Sequence, residues 1–135
     1  MITIDHTVLR VFDTAASLVF YRDILGFSHE GQTGPFEVIR VNDQFTLDLI
    51  EDRPSDVIHL AFALERPDFA KVWHQLRLYD IAFGNAPHDR NGGTPGRWPG
   101  ARGYADALYL DDPSGHIIEL RHYREVAEEN QAGAS

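Results

Sequence analysis

Cysteine is absent from the 135 residues, which excludes disulfides and thiolate metal ligands and leaves the redox compartment open. No apolar run approaches the roughly 18 residues that a membrane-crossing helix needs, so no membrane partner is expected. No basic segment followed by an apolar stretch opens the chain, so no secretory signal is expected and a cytoplasmic location is the default. Positive charge is scarce: 12 Lys and Arg stand against 21 Asp and Glu, a formal charge of −9. Nucleic-acid binding depends on clustered cations, and this balance argues against it. An acidic surface keeps a small chain soluble, and it would also suit a cationic ligand. What is present is ordinary: 43% apolar and 24% charged residues, enough for one domain with its own core.

The pattern of residues predicts a βαβββ unit that occurs twice. Residues 2–12 (ITIDHTVLRVF) read as a strand, and DTAASLVFYRDILGF as a helix with Asp13 or Thr14 as its cap and Gly26 at its end. The segments FSHEGQ, FEVIRV and FTLDLIE read as three strands separated by turns. After the polar linker DRPSD the order restarts: VIHLAFAL is a strand, PDFAKVWHQL a helix, and IAFG, ALYL and HIIELRHY are strands. The expected modules cover about 2–51 and 57–123. Residues 124–135 turn polar and small and read as a flexible tail.

The polar positions of the halves correspond. His59 follows His6 by 53 residues, and Glu119 follows Asp48 by 71. The difference is accounted for by a glycine- and proline-rich loop over 87–104 in the second half. Strand parity puts Ile58, Leu60, Phe62 and Leu64 on one face and His59 on the other. It likewise separates Ile118 and Leu120 from Ile117, Glu119, Arg121 and Tyr123. A carboxylate inside an apolar strand needs a partner, because an unpaired buried charge costs several kcal/mol. Two readings stand side by side. A divalent cation (Zn, Fe, Mn, Ni or Co) held by two imidazoles and one or two carboxylates would neutralise it. Alternatively Glu119 pairs with Arg121, or reaches solvent, and both histidines are ordinary strand residues.

The opening strand with His6, the segment FYRDILGF, His59 and the segment DPSGHIIEL together resemble the vicinal oxygen chelate superfamily, which includes glyoxalase I, bleomycin-resistance proteins and extradiol dioxygenases. The resemblance spans about residues 2–123. It implies an α+β fold of paired βαβββ modules whose curled mixed sheets surround a cavity. It implies a divalent metal held by His6, His59 and Glu119, with Asp48 as a possible fourth ligand one methylene shorter than the usual Glu. It further implies a homodimer that acts on a small oxygenated substrate by bidentate chelation and Lewis-acid stabilisation. Glyoxalase or lyase, thiol-transferase and dioxygenase chemistries all fit that description. The alternative it offers is a metal-free protein that sequesters a drug or other ligand.

Extradiol dioxygenases resembling this chain carry a histidine where it reads Gly100-Ala101-Arg102, and that departure argues against simple ring cleavage. Arg102 would place an anionic substrate but shuttles no proton. Tyr109 shares its parity with the cavity side and is the other candidate to touch a reacting oxygen, or else it is a cross-strand aromatic. Trp98, in the long loop, is expected either to cover a ligand or to pack on its own sheet or a partner chain. His116 and His122 fall on the face opposite Glu119 and are excluded as ligands to the same metal. His29 and His74 read as surface residues.

Overall fold

The computed structural model describes residues 1–134, with side chains through residue 131. The chain forms two compact units. The first holds residues 1–58 with the turn 112–116, and the second holds 59–111 and the chain from 117 on.

In the first unit, β1 (His6–Val11) leads to α1 (Thr14–Leu18), which runs into a π-helical turn over Val19–Ile24. Then follow β2 (Ser28–Thr33), β3 (Phe36–Asn42) and β4 (Phe45–Glu51). The sheet order is β1-β4-β3-β2, with β1 parallel to β4 and the other pairs antiparallel. The strand expected from residue 2 begins only at His6, because its ladder partner β4 begins at Phe45 and supplies Thr46 opposite His6. Asp13 caps α1 by accepting from the Ala16 amide at 3.2 Å. Gly26, at φ +84°, turns the chain out of the helix as expected. Leu9, Val11, Ile39, Leu47 and Leu49 are buried on one face of the sheet, as are Phe20, Tyr21 and Ile24 of the helical segment.

The two most specific motifs meet in this unit. The Tyr21 hydroxyl donates to Asp112 Oδ2 at 2.7 Å, and both residues are buried. Asp112 Oδ1 accepts from the Ser114 and His116 amides, each at 2.9 Å, which sets the turn around Gly115 at φ +85°. The buried His116 ring accepts from the Ile58 amide through Nδ1 and donates to the Arg10 carbonyl through Nε2. Both ring nitrogens are therefore used within the scaffold.

The second unit has β5 (His59–Ala63), α2 (Arg66–Leu78), β6 (Phe83–Gly84), β7 (Gly96–Gly100), β8 (Gly103–Asp111), β9 (Ile117–His122) and α3 (Val126–Ala134). Its path is β5-β9-β8-β6, and β7 pairs with β8 on the same side as β6. Phe62, Leu108, Leu110, Ile118 and Leu120 are buried in this unit together with Phe69, Val72 and Leu76 of α2. The expectation that 87–104 is all loop is corrected here. Residues 96–100 form a strand, disguised because two glycines and Pro99 sit in it. A proline is tolerated in such an edge strand, and Gly96 lies so close to Asn85 that an added Cβ would stand 2.2 Å from its carbonyl oxygen. The expected flexible tail is likewise a helix over Val126–Ala134. It shows no apolar stripe in the sequence because ion pairs hold it, among them Arg66–Glu128 at 2.7 Å and Arg97–Glu129 at 3.1 Å. Residue 135 lies outside the described residues.

Candidate functional site

Parity and register define one polar face on each sheet. In the second unit His59 stands opposite Ile117, Ala61 opposite Glu119 and Ala63 opposite Arg121, while Tyr109 stands opposite Glu119 from the other side. His59, Glu119, Tyr109 and Arg121 thus share a face, flanked by small residues that leave room above it. Glu119 is 5% exposed and fully engaged. Its Oε1 lies 2.9 Å from His59 Nε2, and its Oε2 accepts from Arg121 Nη1 at 2.5 Å. Arg121, also 5% exposed, further donates through Nη2 to the carbonyls of Trp98 at 3.0 Å and Gly103 at 3.2 Å. An added Cβ at Gly100 would fall 2.3 Å from that Nη2, so the glycine leaves the guanidinium its space.

The electrostatics follow from this crowding. Burial, then the Glu119 charge and a hydrogen bond to it, push the Tyr109 phenol far above its ordinary range and keep it protonated. Burial pulls Arg121 down, but hydrogen bonds to Glu119 and Tyr123 outweigh it and hold it above its ordinary value. Tyr123 shows the opposite shift to Tyr109. A hydrogen bond from the Arg102 amide leads the causes, and the nearby Arg121 adds to it, so its phenol lies below 10. The Arg102 guanidinium covers the Tyr123 ring at 4.2 Å. Trp98 packs edge-on against Tyr109, with centroids 6.1 Å apart, and donates to the Asn85 carbonyl at 2.7 Å. Of its two expected roles, the structure displays packing on its own sheet.

The first unit repeats the design. His6 stands opposite Thr46, and Asp48 lies two residues on, opposite Val8. In the second unit His59 stands opposite Ile117, and Glu119 lies two residues on. Each sheet therefore offers one imidazole and one carboxylate at the same register of a parallel strand pair. His6 is half exposed and held by Asp5 at 2.7 Å. That hydrogen bond outweighs burial and, with the charge of Asp48, raises the imidazole above 6.5. Asp48 Oδ1 is buried without a hydrogen-bond partner among the described residues.

The donor chemistry of each half suits a divalent ion. Two atoms bound at about 2.1 Å and at right angles lie about 3 Å apart, which matches the His59–Glu119 spacing. Arg121 would then hold the outer carboxylate oxygen, as partners of metal-bound carboxylates do. Among the described residues no group of three or more His, Asp or Glu is gathered into a metal site. His122 faces away from Glu119, opposite Asp106, as its parity requires. His74 is exposed, while His29, expected at the surface, is half-buried against Glu37 at 2.6 Å.

A model of the glyoxalase/bleomycin resistance protein/dioxygenase superfamily matches residues 3–120. The chain belongs to that superfamily. Among solved structures it is similar to the oxidase ChaP-H2, with 26% identity, 93% of this chain and 96% of that chain covered, and a TM-score of 0.79. It is similar to a virulence protein from Salmonella typhimurium at 25% identity, covering 92% and 98% of the two chains, with a TM-score of 0.72. A lactoylglutathione lyase from Agrobacterium tumefaciens shares the fold at 18% identity, covering 89% and 92%, with a TM-score of 0.62. A comparison with curated protein sequences finds no match. No helix among the described residues is long and apolar enough to cross a membrane.

Proposed function

We propose that this superfamily member is a metal-dependent enzyme acting on a small oxygenated substrate by bidentate chelation, with oxidase-type chemistry the favoured class. The observation that supports it most directly is the repeated register: an imidazole and a carboxylate two positions apart on a parallel strand pair, once per unit. The ligand set we assign is His6, His59 and Glu119, with Asp48 as a fourth donor. The unpartnered oxygen of Asp48 supports a role for it beyond packing. The similarity to the oxidase ChaP-H2, over nearly the full length of both chains, favours oxidation over the lyase and transferase alternatives.

When bound, the metal would act as a Lewis acid on a substrate oxygen. The chain's own groups do the rest. Arg121 fixes the orientation of Glu119. Tyr109, held protonated, donates a hydrogen bond to an oxygen near Glu119 and does not act as a base at neutral pH. Arg102, exposed at the β7–β8 turn and stacked on Tyr123, positions an anionic substrate group.

A second reading has its own support. Arg121 already neutralises Glu119, as a metal-free binding protein would require. Metal analysis of gently purified protein separates the two. The enzyme reading predicts bound divalent metal that is lost in Glu119→Ala and His59→Ala. Equal metal content in wild type and a His6→Ala/His59→Ala/Glu119→Ala variant refutes it. Cofactor uptake and turnover with catechols or other vicinal diols under oxygen then test the oxidase class. The same reading assigns a homodimer, checked by sedimentation.

A further inference from the structure

The face of the second sheet that lies away from Glu119 carries a cavity of about 390 Å³, within the usual range for small-molecule sites. Arg66, Phe69, Ala70 and Trp73 line it from α2 at positions i, i+3, i+4 and i+7, and so form one stripe of the helix. His122 and Arg124 line it from the end of β9 and beyond. Its wall is aromatic: the Phe69 and Trp73 rings meet edge-on at 6.3 Å, and Phe69 and His122 lie 5.9 Å apart. Trp73 Nε1 is a buried donor with no partner among the described residues. None of these residues belongs to the His59–Glu119 face.

The chain's own α3 already shows what the rim of this cavity recognises. The Glu128 carboxylate accepts from Arg66 at 2.7 Å and lies 3.1 Å from His122 Nε2 through both oxygens. His122 is 6% exposed, and its Nδ1 faces the Leu64 carbonyl at 3.1 Å, so both ring nitrogens are directed at oxygen acceptors. A buried imidazole and an arginine thus make a carboxylate seat beside an apolar cavity. The neighbouring cations are spoken for differently: Arg124 pairs with Asp106 through two bonds of 3.0 Å, and Arg97 with Glu129. α3 contributes no buried side chain among its described residues; Val126 is 79% exposed. Its hold is ionic, and an ionic hold is open to exchange with another carboxylate.

We propose that this cavity is a second ligand site, for a small aromatic or branched apolar carboxylate. The ligand's carboxylate replaces Glu128 on Arg66 and His122, its apolar body lies against Phe69, Ala70 and Trp73, and α3 is released as it binds. The site is separate from the metal-dependent reading and stands or falls apart from it.

The test is a titration of the full chain with phenylacetate, followed by amide and indole N–H signals in two-dimensional NMR, with 2-phenylethanol as the uncharged match. The chain has two tryptophans, Trp73 and Trp98, so the two faces report separately. The expected result is a saturable shift of the Trp73 indole signal, with Trp98 unmoved and the α3 amides moving toward unstructured positions. 2-Phenylethanol binds at least about tenfold more weakly, and Arg66→Gln weakens phenylacetate by a similar factor, as loss of a charge-assisted hydrogen bond predicts. Glu128→Gln removes the internal competitor and tightens binding by about threefold. The proposal is overturned if phenylacetate gives no saturable shift, if Trp98 responds in place of Trp73, or if Glu128→Gln leaves affinity unchanged or lower.

Discussion

Replacing Arg121 with methionine should expose what keeps Glu119 in its strand. Both residues are 5% exposed, and the contact between their side chains is direct. At an effective dielectric near 20, unit charges about 4 Å apart attract by about 4 kcal/mol, and removing each from water costs several kcal/mol. The pair therefore contributes little net stability, but breaking it leaves one buried charge uncompensated, at about 3–5 kcal/mol. Arg121→Met also strands the Trp98 and Gly103 carbonyls, which places it toward the upper end. With a urea slope of about 2 kcal/mol per molar, the unfolding midpoint should fall by about 2 M. Glu119→Gln should be comparably costly, whereas Glu119→Gln with Arg121→Met should recover about 2 kcal/mol relative to the sum of the single changes. Metal provides the second arm. A divalent cation at a hundred times its dissociation constant stabilises the native state by about 2.7 kcal/mol, and in Arg121→Met it should restore much of the loss. Urea unfolding with and without metal reads all four proteins. A cost below about 1 kcal/mol for Arg121→Met, or strict additivity of the two changes, would refute the reasoning.

Other predictions concern the scaffold. Tyr21→Phe removes the hydroxyl that Asp112 accepts and should cost about 1.5–3 kcal/mol in chemical unfolding, with the fold retained. Because burial, then the Asp112 charge, raise the Tyr21 phenol well above 10, the native state holds that proton more tightly than the unfolded one. Its contribution is complete below pH 10 and is lost as pH rises toward the folded value. Wild type should therefore lose stability more steeply above pH 10 than Tyr21→Phe does. Gly84→Ala places a methyl 1.9 Å from the Asp89 carbonyl oxygen, a backbone atom, and should cost at least about 2 kcal/mol, read as a fall in melting temperature. Acid should loosen α3. Burial raises the Glu128 carboxyl, but the His122 and Arg66 contacts outweigh it and hold it below 4.5, so its ion pairs are present above that pH and lost as pH falls through the lowered value; helical signal from residues 126–134 checks this.

Much of this architecture was legible because strand parity is a strict rule. Glu119, Arg121 and His59 fall on one face in the structure as alternation required, and the paired histidine–carboxylate spacing appears as one repeated register. FYRDILGF and DPSGHIIEL read well as fold markers for a physical reason: Tyr21 and Asp112, one from each, hydrogen-bond in a buried position. What parity does not reveal is which of several neighbours satisfies a charge. Arg121 and a cation were both open partners for Glu119, and only distances show that the guanidinium engages it. β7 escaped because glycine and proline carry the sequence signature of a loop even where an edge strand tolerates them. α3 escaped because its anchors include charges supplied by Arg66 and Arg97, far along the chain, and helical periodicity carries no trace of them.

One feature of the second sheet bears on how such proteins diversify. β6 pins one end of β8, with Gly84 opposite Tyr109, and β7 pins the other, with Gly96 opposite Ala107. Residues 85–95 run between those anchors and are tied back to them, the Gly92 amide donating to the Phe83 carbonyl at 2.7 Å and Arg90 pairing with Asp111 at 3.0 Å. Insertions that keep those ties belong at the exposed Gly93–Thr94 step, where each doubling of a flexible loop costs only about 0.6 kcal/mol in closure entropy. New surface grafted there, by selection or by design, leaves the Glu119 face its geometry.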